Sequence, residues 1–233
     1  MEVVTIMRPQ RNSFSRSFLL LAFCIWVVPL YAQKDEEKRL ANSAVVLQQI
    51  LSQENGLPKT ILDKAHCVLI FPGVKKVAVG IGGSYGRGAL VCRKSGAWAA
   101  PAMYALDQGS LGLQLGSTET DFVLVIASQK GVDQVMNGKT KLGSNASATA
   151  GPTGAQATPS SAEGNADILT YSRSKGLFAG VSLAGASMDD DKGANKAIYG
   201  KEEVAKDVIQ SETVVPAAKP LVDLLDKTSP TLK

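Results

Sequence analysis

The sequence has very few of the residues on which enzymes most often depend. Histidine occurs once among 233 residues, as His66, and aromatic residues make up 6% of the chain. A Ser-His-Asp triad, a Cys-His pair or a histidine-ligated metal site would have to use His66. That residue lies between a predicted helix and a predicted strand, which is typical of a structural or surface histidine. We therefore predict no catalytic residue, no metal site and no cofactor.

The sequence also lacks an N-terminal hydrophobic run long enough to span a bilayer. The run from Phe18 to Val28 has eleven apolar residues, whereas a spanning helix needs about 20. Three arginines precede the run, Pro29 breaks it, and Leu-Tyr-Ala follows, ending at Ala32. This pattern predicts a signal peptide over residues 1–32 and an exported, soluble protein. An uncleaved membrane anchor is the alternative. Residues 33–233 are then enough for one domain.

The sequence also lacks a large excess of basic or acidic residues. The whole chain has 25 basic and 21 acidic residues, and the leader contains three of the former and one of the latter. The mature chain therefore has 22 against 20, a formal charge of +2. This balance is too small to predict nucleic-acid binding. Binding to an anionic membrane would have to use a local patch of cations.

Cysteine is rare, and its spacing excludes the common metal motifs. Once Cys24 of the leader is set aside, Cys67 and Cys92 remain, and neither belongs to a C-x-x-C motif. Export would permit a disulfide between them. Two buried free thiols are the alternative.

Two further motifs resemble nucleotide-binding and calcium-binding sequences but lack the features that those sites require. The stretch GIGGSYGRG at 80–88 matches a loose dinucleotide pattern, but the strand-like ALVCRK follows where a helix is needed. We predict that these glycines relieve a bent hairpin. The acidic triplet at 189–191 lacks the spacing of a calcium loop, so we predict a solvated turn.

Hydrophobic periodicity predicts an α+β fold. Helices are expected at 35–53, from Pro58 through Ala65, over one or two turns at 129–138, at 201–210, and from Pro220 onward. Strands are expected at 68–71, 75–82, 88–94, 97–106, 111–116, 121–128, near 168–174, and at 177–187. Gly-Gly-Ser, Lys-Ser-Gly and Asp-Gln-Gly are the expected turns, and 189–193 another. Because strands follow one another without helices, we predict a mostly antiparallel, strongly bent sheet or partial barrel, flanked by N- and C-terminal helices.

One stretch, YSRSKGLFAGVSLAG at 171–185, combines cations with apolar residues. The period of two places Tyr171, Arg173 and Lys175 on one face of a strand. Gly176 would permit a turn with Leu177 and Phe178 at its tip. Such a surface can hold a phosphate by charge-assisted hydrogen bonds while the tip enters the headgroup boundary. A solvated strand edge with both tip residues in the core fits the pattern equally well.

Three more cations could extend this patch. Lys75, Lys76 and Arg87 lie on a predicted hairpin. Each cation near an anionic surface contributes roughly 1 kcal/mol, so four or five would suffice for reversible attachment.

Several long motifs then point to a family. The stretches are GAWAAPA at 96–102, TDFVLVI at 120–126, LGSNASATAGPTG at 142–154, YSRSKGLFAGVSLAGA at 171–186, and Asn195 followed by Tyr199-Gly200. In this order they resemble the SYLF domain, also described as the actin-binding domain of a yeast actin-patch protein. The resemblance covers roughly residues 36–228.

The resemblance implies a non-enzymatic module that binds membrane lipids, with a preference for phosphoinositides in eukaryotic members. Some of those members also bind and bundle actin, and they usually pair the domain with an SH3 or FYVE domain. With its export leader this chain looks like a stand-alone bacterial member, periplasmic or secreted and peripherally attached to a membrane. Export argues against actin, unless the protein is delivered into a host, and against phosphoinositides as the natural ligand. A protein-interaction module of the cell envelope is the second hypothesis.

In eukaryotic relatives an amphipathic N-terminal segment contributes to membrane attachment. The matching segment here is the helix at 35–53, which contains Lys38 and Arg39. Its apolar stripe could equally pack on the sheet, and we favour packing.

Overall fold

The chain forms an α+β fold around an antiparallel sheet, as the sequence predicts. The computed structural model describes residues 28–54, 56–79, 81–111, 116–137, 140–142, 167–175, 183, 185–211 and 213–232. The strands within these residues are β1 (Cys67–Val79), β2 (Ile81–Lys94), β3 (Ala97–Trp98), β4 (Ala102–Leu111), β5 (Gly116–Ile126), β6 (Thr140–Lys141), β7 (Ile168–Lys175) and β8 (Ser187–Asp190). Their order across the sheet is β6-β8-β4-β2-β1-β5-β7, and β3 pairs with β2 beside this path. Every pairing is antiparallel, and the path does not close into a barrel.

Helices flank the sheet at both ends of the described chain. They are α1 (Val28–Leu51), α2 (Lys59–Leu62), α3 (Gln129–Met136), α4 (Lys192–Tyr199), α5 (Ala205–Gln210) and α6 (Lys219–Thr228), with a 3₁₀ turn at Pro216–Ala218. The helix predicted at 35–53 therefore begins seven residues earlier, at Val28, and ends at Leu51. Pro29 is compatible with this earlier start because a helix tolerates proline in its first turn. Among these helices, none is long and apolar enough to cross a bilayer.

Helix α1 packs on one face of the sheet, as favoured from its sequence. Its side chains Leu40, Leu47 and Ile50 are fully buried, and burial of each contributes roughly 2 kcal/mol. They share a core with the sheet residues Val68, Ile70, Val91, Val123 and Leu169, and with Leu221 and Leu225 of α6. A second core on the opposite face contains Leu69, Phe71, Leu90, Phe122 and Leu124, with Val135 of α3 and Val208 of α5. Residues 122–126 of β5 are apolar on both faces of the sheet and are thus buried between the two cores.

Several predicted boundaries were wrong because the strands are longer than the local patterns suggest. The segment predicted at 68–71 and most of that predicted at 75–82 belong to one strand, β1, whose register shifts between Phe71 and Val74. Residues 81 and 82 already belong to β2. A bulge of this kind bends a strand without ending it. Gly-Gly-Ser lies inside β2 and Asp-Gln-Gly inside β4, so neither forms a turn. Lys-Ser-Gly does turn, with Ser95 and Gly96 both at positive φ.

The predicted solvated turn at 189–193 is also wrong. Asp189 and Asp190 belong to β8, and Asp191 is the N-cap of α4, which the sequence analysis missed. The Asp191 carboxylate accepts a hydrogen bond from the Ala194 N–H at 3.0 Å, the usual role of an aspartate at a helix start. The predicted strand at 177–187, most of that at 111–116 and the motif at 142–154 lie largely outside the described residues.

Candidate functional site: a basic cleft beside the N-terminal helix

An open cleft runs along one side of α1, where the helix crosses the sheet. Its first part, of about 390 Å³, is lined by Asp35, Lys38, Arg39, Asn42, Pro72, Gly73, Lys75, Tyr85, Gly86 and Arg87. Its second part, of about 370 Å³, shares Asn42, Pro72, Gly73 and Lys75 and adds Val45, Val46, Gln49, Glu119, Asp121 and Arg173. We call these two parts together the α1 cleft.

The sheet register explains why charged residues meet here. Lys75 lies directly opposite Tyr85 of β2 and Glu119 of β5. Directly opposite residues share a face of an antiparallel sheet, and this is the face that α1 covers. The same face is apolar at the other end of the strands, at Ile70 and Val123. On the face of the sheet that α1 covers, the side chains therefore change from apolar to polar at the bulge before Lys75.

Two lysines of the cleft differ from its arginines in their surroundings. Lys38 and Lys75 are exposed, and within the described part of the chain neither forms an ion pair. Four cations line the first part of the cleft, against the single carboxylate of Asp35. This part is therefore the region of the cleft best suited to an anion.

Arg87 is held in place from three sides. Its guanidinium lies 5.8 Å from the centre of the Tyr85 ring, and its Nε–H donates to the Tyr85 hydroxyl. Its Nη1 lies 3.7 Å from Glu36 Oε1, and its Nε lies 3.4 Å from Asp191 Oδ2. Because the side chain stays 42% exposed, it can still meet a ligand in the cleft.

Arg173 has a different environment from Lys38 and Lys75. Its Nη2 lies 2.6 Å from Asp121 Oδ2, and the Asp121 side chain is 1% exposed. The other oxygen of Asp121 accepts the Gly73 N–H at 2.8 Å. This pair ties β7 and β5 to the bulge of β1, so the charge of Arg173 is largely neutralised inside the protein.

The other predicted site residues are distributed more widely. Tyr171 is 6% exposed and belongs to the core beneath α1. Lys76 follows Lys75 and points to the opposite face, away from the α1 cleft. The Lys175 side chain, Leu177 and Phe178 lie outside the described residues. The structure thus brings together Lys38, Arg39, Lys75, Arg87 and Arg173 along the cleft.

Two apolar side chains of the cleft were not predicted from the sequence. Val45 is 51% exposed and Tyr85 is 47% exposed, which makes them the two most exposed large hydrophobic side chains of the described residues. Both line the α1 cleft. The helical period contained a signal for Val45. It lies two helical turns beyond Lys38 and one turn beyond Asn42, so the three side chains share one face of α1. Tyr85 was hidden in the glycine-rich stretch.

Cys67 and Cys92 lie opposite each other in the register of β1 and β2, and their sulfurs are bonded at 2.06 Å. The bond lies within the second core, away from the cleft. Among the described residues, no three His, Cys, Asp or Glu side chains are grouped so as to hold a metal ion.

Other motif residues have structural roles. The Asn195 carboxamide oxygen accepts the Met103 N–H at 2.7 Å, and the Tyr199 hydroxyl donates to the Pro101 carbonyl at 2.5 Å. The Trp98 indole N–H donates to the Ser229 carbonyl at 2.9 Å. These bonds attach α4 and the C-terminal segment to the sheet.

The fold and the cleft define a small α+β domain with a cationic surface beside its first helix. A family model described as "Ysc84: Las17-binding protein actin regulator" matches residues 107–228. The chain belongs to this Ysc84 (SYLF) domain family, as its ordered motifs predict. That description names a regulator of actin and not a class of enzyme.

Curated relatives support the assignment over most of the chain. Protein YSC84 of Saccharomyces cerevisiae is 34% identical over 83% of this chain and 43% of its own length. LAS seventeen-binding protein 3 of the same species is 34% identical over 83% of this chain and 44% of its own length. Human SH3 domain-containing YSC84-like protein 1 is 30% identical over 83% of this chain and 58% of its own length. This chain therefore spans about half the length of these relatives. No solved structure gives a significant match.

Proposed function

We propose that this domain binds anionic phospholipid headgroups reversibly at a membrane surface, through the α1 cleft and without performing chemistry. The observation that carries the proposal is a pair of exposed lysines, Lys38 and Lys75, that form no ion pair with any described residue. They lie beside two exposed apolar side chains, Val45 and Tyr85. The two lysines can bind a phosphate group through charge-assisted hydrogen bonds. The two apolar side chains can lie at the boundary between headgroups and acyl chains.

The expected strength is that of a reversible attachment. Each cation near an anionic surface contributes roughly 1 kcal/mol. Lys38, Lys75 and Arg87 together would therefore contribute about 3 kcal/mol, and apolar contact by Tyr85 would add to it. Arg173 has a smaller part in this proposal than its sequence position suggests, because Asp121 already holds its guanidinium.

Lys175, Leu177 and Phe178 remain proposed additional contacts. The backbone register supports this extension for Lys175, which lies opposite Glu119, itself opposite Lys75. A preference for phosphoinositides is proposed from the family resemblance alone. Export to a periplasmic or extracellular location is proposed from the leader sequence, and a disulfide between Cys67 and Cys92 is compatible with it.

Vesicle flotation tests the proposal. The variant Lys38→Glu/Lys75→Glu should lose most of its binding to vesicles that contain phosphatidylglycerol, since attraction becomes repulsion at both positions. Lys206→Glu/Lys219→Glu is the matched control, because it changes the net charge equally at exposed lysines outside the cleft. Equal binding by wild type, test variant and control would overturn the cleft as the site. Absence of binding by the wild type would overturn the function.

A protein partner is the second proposed function. The family description and the name of LAS seventeen-binding protein 3 both refer to binding of Las17. The region shared with this chain covers 44% of that yeast protein. Sedimentation with purified actin filaments in the absence of lipid tests actin binding; co-sedimentation that survives Lys38→Glu/Lys75→Glu would favour this function over lipid binding.

A further inference from the structure

A buried carboxylate lies directly behind the α1 cleft. Glu36 is 4% exposed, and it contacts both arginines that line the first part of the cleft. One oxygen forms an ion pair with Arg39 Nη1, and the other lies 3.7 Å from Arg87 Nη1. Asp191, at the start of α4, contacts the same Arg87 from another side. Glu36 does not itself line the cleft.

This carboxylate changes the charge that a ligand meets. Four cations line the first part of the cleft: Lys38, Arg39, Lys75 and Arg87. Three carboxylates oppose them, since Asp35 lines the cleft and Glu36 and Asp191 contact Arg87. The formal sum is +1, and it becomes +2 when Glu36 is neutral. A single buried group therefore controls half of the positive charge available there.

We propose that Glu36 is an internal counter-anion that competes with a bound phosphate group for Arg39 and Arg87, and thereby sets the affinity of the cleft for anionic surfaces. This inference rests on the proposed lipid-binding function. Ion pairs inside a protein reduce the attraction of their cations for an external anion, because the opposing charge lies within a few ångströms. Glu36 thus keeps attachment weak while its carboxylate is charged.

The competition makes attachment depend on pH. Burial raises the pKa of Glu36, Arg39 and Arg87 act to lower it, and Asp191 acts to raise it, with burial the largest effect. The other charged or titratable groups of the first part of the cleft are Asp35, Lys38, Lys75 and Tyr85. Glu119, Asp121 and Arg173 line its second part. As the pH falls through the raised pKa of Glu36, this carboxyl loses its charge and releases both guanidinium groups. Binding to an anionic surface then strengthens.

Flotation at two pH values tests this inference. Phosphatidylglycerol is the suitable probe lipid, since its phosphodiester keeps one charge between neutral pH and about pH 5. Glu36→Gln should bind these vesicles roughly fivefold more tightly than wild type at neutral pH, the effect of about one unit charge near an anionic surface. Glu37→Gln is the matched control. It removes the same charge from the next position of α1, where the side chain bonds to Gln33 and does not line the cleft.

The pH dependence of binding provides a second measurement. Its binding should strengthen between neutral pH and about pH 5, and Glu36→Gln should lose most of this dependence while Glu37→Gln retains it. If wild type, Glu36→Gln and Glu37→Gln bind equally and respond equally to pH, Glu36 is not a competitor and the lipid-binding function stands. If the wild type binds at neither pH, the lipid-binding function fails and this inference fails with it.

Discussion

At the scale of single residues, the ion pair of Arg173 and Asp121 shows that a cation of the cleft can have a structural role. The sequence pattern singles out Arg173 as a phosphate ligand, whereas the structure places its guanidinium 2.6 Å from a buried carboxylate. An aspartate 52 positions away in the chain cannot be assigned as its partner from periodicity. Lys75, by contrast, is an exposed cation of the same cleft.

Replacement of Asp121 should therefore destabilise the fold. Asp121→Asn leaves Arg173 without its buried counter-charge, and we expect the free energy of unfolding to fall by about 3 kcal/mol. Urea unfolding followed by circular dichroism measures the change. Asp223→Asn, at an exposed position of α6, is the control and should change stability by less than about 0.5 kcal/mol. Equal stability of the two variants would mean that the pair contributes nothing.

At the scale of elements, the glycine-rich strand β2 shows what the sequence could and could not predict. The sequence analysis excluded a nucleotide loop there and attributed the glycines to a bent hairpin. The structure supplies the physical reason at Gly88, where an added Cβ would lie 2.0 Å from the Ile70 carbonyl oxygen and 2.7 Å from Phe71 Cδ1. The strand thus needs a residue without a side chain where it approaches β1.

Two substitutions in β2 test this explanation. Gly88→Ala should lower the free energy of unfolding by about 3 kcal/mol, because the neighbouring atom is backbone and cannot move aside easily. Gly83→Ala is the matched control, since its Cβ would meet only the Gln108 carbonyl oxygen at 3.5 Å. It should be neutral or stabilising by up to about 0.5 kcal/mol. Thermal unfolding distinguishes them, and equal melting temperatures would refute the close approach.

Long, periodic elements were predictable, whereas elements defined by tertiary contacts were not. The stripes of α1 and α6 and the apolar run of β5 carry their own signals, and all three are present. The segment containing β8 and α4 is short, and its acidic triplet has the composition of a solvated turn. What stabilises it is distant in sequence: the Ala205 N–H donates to Asp190, and Asn195 accepts from Met103.

At the scale of the whole molecule, the cleft depends on how α1 crosses the sheet. Lys38 on α1, Lys75 on β1 and Arg87 on β2 come from three elements and meet along one edge of the helix. The sequence identified each as basic and could not show that they converge, because convergence depends on the β1 bulge and on the sheet register. Membership of the Ysc84 family, by contrast, was predictable from ordered motifs, since it requires no geometry.

The α1 cleft is proposed to face anionic lipid. An environment-sensitive fluorophore attached at Val45→Cys, in a Cys24→Ser background, tests it most directly. Val204→Cys is the control, because Val204 is also an exposed valine and lies outside the cleft. We expect a blue shift at position 45 with phosphatidylglycerol vesicles, none with phosphatidylcholine vesicles, and none at position 204 with either. An unchanged spectrum at position 45 while the protein floats with the anionic vesicles would contradict it.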